Sequence, residues 1–166
     1  MGLRVLQHTN SLLEIEDRPT ALRVIGAIFA VAGAAVLGLG WAQDRSVGAL
    51  VSGVLFMTVG TGLAVGMADR RHRLDRRAGT LIVETRTQSA VTLDERRLGD
   101  VADVVVQASA GRGGGRPRIY RLAYVFADGT RLPWTSYYNS ERRDKDACAR
   151  LVREFLGLER SNAISW

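Results

Sequence analysis

The chain has 166 residues, 46% of them hydrophobic, and a formal net charge of +6 from 23 lysines and arginines against 17 acidic residues. This length allows one ordinary domain plus attachments. Residues 24–42 and 46–68 contain no charged side chain, and this uneven distribution excludes a small soluble globule. The remainder keeps strand-like and helical apolar patterns, which exclude a disordered chain.

The two uncharged windows predict two transmembrane helices, at about residues 22–42 and 46–68. With about 1.5 Å of rise per residue, the windows reach roughly 28 and 34 Å, against a hydrocarbon core of about 30 Å. Two buried helices of a soluble protein would need a covering layer that the other residues are too few to supply. A cleaved signal peptide is the other alternative, although the charges before the first window cancel.

Only residues 43–45 separate the two windows, so the helices are predicted to form a tight antiparallel hairpin with both termini on one side. This tip carries one arginine, Arg45, whereas five arginines follow the second helix. The positive-inside rule therefore predicts that both termini are cytoplasmic. We name the five arginines the basic collar: Arg70, Arg71, Arg73, Arg76 and Arg77.

Small residues recur along both predicted helices and would let the helices approach closely. On the first helix and then the second they are Gly26, Ala30, Ala34, Gly38, and Gly53, Gly60, Ala64, Ala68. The stripes are predicted to pack the hairpin on itself, and the alternative is that part of a stripe docks another subunit. Neither helix carries an ionisable side chain in its interior, so transporter and channel functions lack their usual residues.

Short alternating apolar segments predict an antiparallel sheet after the hairpin. The Asp128-Gly129 pair supplies a tight turn between the last two strands. A pair of similar segments before the hairpin, residues 3–8 and 12–16, is predicted to join this sheet, because a lone two-stranded hairpin is marginal in water. The strands predicted after the hairpin are residues 80–87, 90–93, 101–107, 118–127 and 130–134.

The last periodic segment predicts an amphipathic helix, capped by Asn139 or Ser140 and stopped at Gly157 with Leu158 folding back. Its apolar and basic residues are expected on opposite faces. The apolar face comprises Cys148, Leu151, Val152, Phe155 and Leu156. The basic face comprises Arg142, Arg143, Lys145, Arg150 and Arg153.

Several of these segments resemble bacterial membrane-anchored proteins with two transmembrane helices and a pleckstrin-homology-like (PH-like) cytoplasmic domain. The likeness lies in residues 75–81, the strand 120–122, the Asp128-Gly129 turn followed by Leu132-Pro133, and residues 155–158. It implies an α+β fold, an antiparallel meander sheet or partial barrel closed by the C-terminal amphipathic helix. Such domains carry more strands than residues 69–158 predict, and residues 3–8 and 12–16 are candidates for the missing pair.

The predicted organisation is therefore N-terminal strands over residues 1–20, a helical hairpin over 21–68, a PH-like domain over 69–158 and a tail over 159–166. Within it, no residues form a catalytic constellation. Cys148 is predicted to be a core residue, and neither His8 nor His72 has a Cys or His neighbour at metal-ligand spacing. We expect a non-enzyme without metal or cofactor.

A glycine-rich loop with Arg112, Arg116 and Arg118 resembles a phosphate cradle but lacks the end of a P-loop. It is either a flexible hairpin loop or a contact for an anionic headgroup or acidic partner. Anionic lipid explains the basic collar without nucleic acid.

Three functions remain open at the bacterial inner membrane, and all three place both termini in the cytoplasm. The preferred one is an interaction module that scaffolds or assists assembly of a membrane protein complex. The alternatives are a sensor of anionic lipid headgroups and a small accessory subunit of a membrane enzyme.

Overall fold

The computed structural model describes residues 3–42, 46–109, 119–135, 138 and 140–158. Its chain divides into two compact units. The first unit contains residues 18–69 together with residues 85–92, and the second contains residues 3–17, 70–84 and the chain from residue 93 onward.

Two helices dominate the first unit: α1, Thr20–Ala42, and α2, Val47–Val65. Both are long and apolar enough to cross a membrane, in agreement with the predicted windows. The observed limits differ slightly from the prediction, because α1 starts two residues earlier, at Thr20, and α2 ends at Val65, before Ala68.

The strands form two antiparallel sheets, and together with the helices they confirm the predicted α+β class. The predicted single meander is divided between these two sheets, and neither is closed in the described residues. The five-stranded sheet has the order β1-β2-β3-β4-β5 and the smaller sheet the order β6-β7-β8. The first sheet comprises β1 Leu3–His8, β2 Leu12–Asp17, β3 Asp69–Asp75, β4 Thr80–Arg86 and β5 Val91–Arg97. The second comprises β6 Val101–Ser109, β7 Ile119–Phe126 and β8 Arg131–Pro133.

The N-terminal strands belong to the larger sheet, as the sequence predicts. Strand β1 pairs with β2, and β2 pairs with β3, with Leu13 opposite Leu74 and Ile15 opposite His72. Leu13 and Ile15 have no exposed surface. Burial of these apolar side chains stabilises a pairing that joins segments on either side of the helical hairpin.

Strand β3 was not among the predicted strands, because its sequence, Asp-Arg-Arg-His-Arg-Leu-Asp, has no β-branched residue and looks like a charged linker. Only His72 and Leu74 are buried, at alternate positions. The run of three arginines and one histidine, residues 70–73, is tolerated in a strand because alternate side chains point to opposite faces of the sheet. Most of the basic collar is therefore part of a strand.

A single hydrophobic core lies in the second unit and includes one face of the last helix, α3, Arg142–Leu156. The predicted apolar face is confirmed, with Cys148, Val152 and Phe155 buried. The prediction that Lys145 lies on the exposed basic face is wrong, since this residue is only 2% exposed.

Of the two ends of α3, only the C-terminal end was predicted correctly. Glu141 occupies the N-cap position without a side-chain cap, in place of Ser140, and Asn139 lies outside the described residues. Gly157 has a φ of 71°, and the amide of Leu158 donates to the carbonyl of Arg153 at 2.9 Å. This arrangement is the left-handed glycine stop that the sequence predicts.

Candidate functional site

The outward face of β3 forms a charge ladder with β2. Arg71 lies opposite Glu16, and Arg73 lies opposite Glu14. Arg71 forms an ion pair with Glu14, which is also within reach as a diagonal neighbour. The fold therefore makes these two acidic residues of β2 neighbours of the basic collar.

Arg70 points to the opposite face of β3 and is half-buried. Its Nη1 donates a hydrogen bond to the carbonyl of Pro133 at 2.7 Å, and Asp17 is its register partner on β2. Burial lowers the pKa of Arg70, the Asp17 charge raises it, and Arg121 lowers it further. The guanidinium remains charged, because an arginine pKa starts far above neutrality. Arg70 therefore links β3 to the last residue of β8.

Arg76, just after β3, binds two backbone carbonyls. Its Nη1 donates to the carbonyl of Asn10 at 3.3 Å, and its Nη2 donates to the carbonyl of Phe155. Its guanidinium also lies 4.6 Å from the centre of the Phe155 ring. A cation at the C-terminus of α3 complements the helix dipole. The side chain thus connects the β1–β2 turn with the end of α3. Both Arg76 and its neighbour Arg77 are exposed overall.

Three aromatic rings stack in the core next to the inward face of β3. His72 stacks on Trp134 with ring centres 4.6 Å apart, and Tyr124 lies 5.0 Å from Trp134. All three are fully buried, and the imidazole nitrogens, the Tyr124 hydroxyl and the Trp134 indole nitrogen lack well-formed hydrogen bonds. Burial lowers the pKa of His72 to about 3, an effect that the Trp134 backbone partly offsets and Arg70 reinforces. Burial also raises the pKa of Tyr124, so both rings are neutral near neutrality.

A second group of buried polar residues connects α3 with the end of β2. Asp17 and Lys145 are each 2% exposed. Burial lowers the pKa of Lys145, while Glu141 and Asp17 raise it. Burial raises the pKa of the Cys148 thiol to about 12, and Asp17 adds to the effect. Since the thiolate is the nucleophilic form, Cys148 is an inert core residue, as predicted.

The two helices of the first unit meet along a glycine seam. A Cβ atom at Gly26 would lie 2.7 Å from the Gly60 carbonyl oxygen, and one at Gly33 would lie 2.8 Å from that of Gly53. At Gly40 a Cβ atom would lie 2.6 Å from the Cβ of Ala49. The backbones therefore approach too closely for any larger residue at these glycines.

The predicted stripe on α1 is corrected by this seam. Gly26 and Ala30 belong to it, whereas Ala34 and Gly38 are exposed on another side of the helix. The contacting glycines of α1 repeat every seven residues rather than every four, which keeps them on one face of a helix packed at a shallow angle. The seven-residue spacing was the signal that could have identified Gly33 and Gly40. On α2, Gly53, Gly60 and Ala64 lie in the seam as predicted.

Arg23, which the sequence analysis did not single out, connects the start of α1 with the segment after α2. Its Nη2 donates to the carbonyl of Met67 at 2.8 Å, and its Nη1 lies 3.2 Å from Oδ2 of Asp69. This charged contact holds the base of the hairpin closed. The only feature of the sequence that pointed to Arg23 was its position directly before the uncharged residues 24–42.

The glycine-rich loop lies outside the described residues, so the headgroup contact predicted for Arg112, Arg116 and Arg118 remains a prediction. Among the residues that the structure describes, no group of three or more His, Cys, Asp or Glu side chains could hold a metal ion.

No protein-family model matches this chain. No curated protein matches it significantly in sequence. Any function must therefore be argued from the residues and the fold themselves.

Proposed function

We propose that this protein is a non-enzymatic membrane-anchored interaction module, which holds a PH-like domain at the cytoplasmic face of a bacterial inner membrane. There it scaffolds or assists assembly of a membrane protein complex. Two apolar helices that close on a glycine seam, and a folded unit joined to both helices by short connections, support this proposal. Only residues 18–19 separate β2 from α1, and residues 66–68 separate α2 from β3.

The observation that favours this function over the alternatives is that most arginines of the basic collar bind groups within the protein itself. Arg70 donates to Pro133, Arg71 pairs with Glu14, and Arg76 binds the carbonyl of Phe155. An arginine engaged in this way has less charge and fewer donors to offer a lipid headgroup. These contacts favour a structural role for most of the collar and leave partner recognition to the rest of the domain surface.

The chemistry of the buried groups also favours an interaction role. The Cys148 thiol, whose pKa is raised by burial, and the fully buried neutral His72 are poorly suited to nucleophilic or acid-base chemistry at neutral pH. Their positions are instead those of core residues.

Anionic-lipid recognition is the second candidate, and the exposure of Arg73 and Arg77 favours it. Each cation close to an anionic leaflet contributes on the order of 1 kcal/mol to membrane affinity. An accessory subunit of a membrane enzyme is the third, and it would use the exposed Ala34 and Gly38 of α1.

Purification of the tagged full chain in native-membrane nanodiscs distinguishes these candidates. An interaction module is expected to copurify with a membrane protein in a fixed ratio, and the ratio should persist in the variant Arg73→Gln/Arg77→Gln. Recovery with anionic lipid alone, lost in that variant, would contradict the proposal and support lipid recognition. Loss of the protein partner in the variant Gly38→Leu would assign the contact to the helices.

A further inference from the structure

The tip of the β4–β5 hairpin lies at the end of the five-stranded sheet where β3 begins at Asp69, because only residues 76–79 join β3 to its neighbour β4 and they reverse the chain. Residues 85–92 belong to the same compact unit as residues 18–69, although they follow the end of α2 by 20 residues or more. The remainder of both strands belongs to the second unit. A segment of the same unit as two membrane-spanning helices, at the sheet end that follows α2 by three residues, lies close to the bilayer.

The composition of the tip suits the membrane interface. Its sequence, Thr-Arg-Thr-Gln-Ser-Ala-Val-Thr, contains one positive charge, Arg86, and no acidic residue. Arg86 and Ala90 are exposed, and Val91 is 55% exposed. Exposed apolar side chains in a segment without acidic residues are suited to shallow insertion among anionic headgroups.

The turn that closes the tip pairs the amide of Thr87 and both backbone groups of Ala90. The Thr87 amide donates to the carbonyl of Ala90 at 2.9 Å, and the Ala90 amide donates to Oγ1 of Thr87 at 3.1 Å. The Thr87 hydroxyl in turn donates to the Ala90 carbonyl at 3.0 Å. Backbone groups that are already paired lower the cost of entering a region with little water. The turn can therefore present Val91 to lipid without breaking hydrogen bonds.

We propose that the β4–β5 tip, residues 85–92, is a membrane-docking surface that inserts Ala90 and Val91 at the lipid headgroup level. It is a third attachment point besides the two helices. This inference rests on the proposed membrane anchoring by the two helices. An experiment can test the docking surface and the anchoring separately.

Site-specific fluorescence in lipid nanodiscs tests the proposal. Single cysteines are introduced into the full chain by Val91→Cys, by Val31→Cys on α1, and by Ala127→Cys at the turn between β7 and β8. Each is labelled with an environment-sensitive fluorophore. The native Cys148 is buried, and its raised thiol pKa makes it unreactive, so the unsubstituted chain serves as the labelling blank. Quenching by spin labels at the headgroup and deep in the acyl chain reports depth.

The expected result is strong headgroup-level quenching at residue 91, deep quenching at residue 31 and none at residue 127. Quenching at residue 31 with none at residue 91 would overturn the docking surface and leave the anchoring intact. No quenching at residue 31 would overturn the anchoring and the inference that depends on it. Equal quenching at residues 91 and 127 would also contradict a surface confined to the tip.

Hydrogen exchange is a second measurement, and it needs no label. The variant Val91→Asp should increase exchange in residues 85–92 of the nanodisc-bound chain. Ala127→Asp, an equally exposed control in another turn, should leave that exchange unchanged. Unchanged exchange in the Val91→Asp variant would count against the docking surface.

Discussion

His72 illustrates how a strand position changes the chemistry of a side chain. In the unfolded chain its pKa is near the ordinary value of 6.5, and in the folded chain burial lowers it to about 3. Between these two values only the unfolded chain binds the proton. The free energy of unfolding should therefore fall as the pH falls from 6.5 towards 3, by about 1.4 kcal/mol per pH unit, with no cost at neutrality.

The variant His72→Phe should remove this contribution, because a phenyl ring keeps the stack on Trp134 without a titrating group. Hydrogen exchange of β3 in the nanodisc-bound chain, measured from pH 7 to pH 4.5, reports local stability. The wild type should lose about 2.7 kcal/mol more protection than His72→Phe over this range. Replacing the exposed His8 by Gln is the control, and identical pH profiles for wild type and His72→Phe would disprove the assignment.

Arg76 and Arg77 provide a matched pair, since they are adjacent arginines of the collar with different contacts. Arg76→Ala removes the hydrogen bonds to Asn10 and Phe155 and the contact with the Phe155 ring. It should destabilise the domain by about 1–3 kcal/mol. Arg77→Ala should change stability by no more than about 0.5 kcal/mol. Thermal unfolding in nanodiscs measures both, and equal effects would show that Arg76 is not structural.

At the scale of the element, the helical hairpin depends on specific glycines. A Cβ atom at Gly60 would lie 2.6 Å from the carbonyl oxygen of Gly26, whereas one at Gly62, two residues on, would meet nothing within 4 Å. Gly60→Ala should therefore separate the helices and cost about 1–3 kcal/mol. Gly62→Ala should be neutral or stabilising by up to about 1 kcal/mol through helix propensity. Unfolding in detergent followed by circular dichroism compares them, and similar melting of both variants would refute the seam.

The elements were predictable where the local pattern was strong. Strands β4, β6 and β7 carry alternating apolar residues, and the Asp128-Gly129 turn was located correctly, with Gly129 at a φ of 82°. Strand β3 was missed because its pairing with β2 spans the whole hairpin and its outward arginines obscure the two buried positions. The intrinsic strand propensity of its residues does not predict a strand that is stabilised mainly by pairing with a neighbouring strand.

At the scale of the whole molecule, we predict that both termini lie on the cytoplasmic side. Two antiparallel helices return the chain to its starting side, and the arginines that follow α2 outnumber the single Arg45 at the tip. Reporter fusions at residue 2 and at residue 166 should both report a cytoplasmic location. An exported reporter at either end would contradict the topology and would also remove the cytoplasmic leaflet as the surface for the β4–β5 tip.

The sequence by itself determined the two apolar helices, their antiparallel connection, most of the strands and the glycine stop of α3. These features depend on hydrophobic periodicity and turn chemistry, which act between residues close in the chain. Only the tertiary structure decided that Lys145 and His72 are buried, that Arg76 binds the carbonyl of Phe155, and that Gly33 faces Gly53. The partners in these contacts lie far apart along the chain, and a residue's local sequence does not specify which distant surface will cover it.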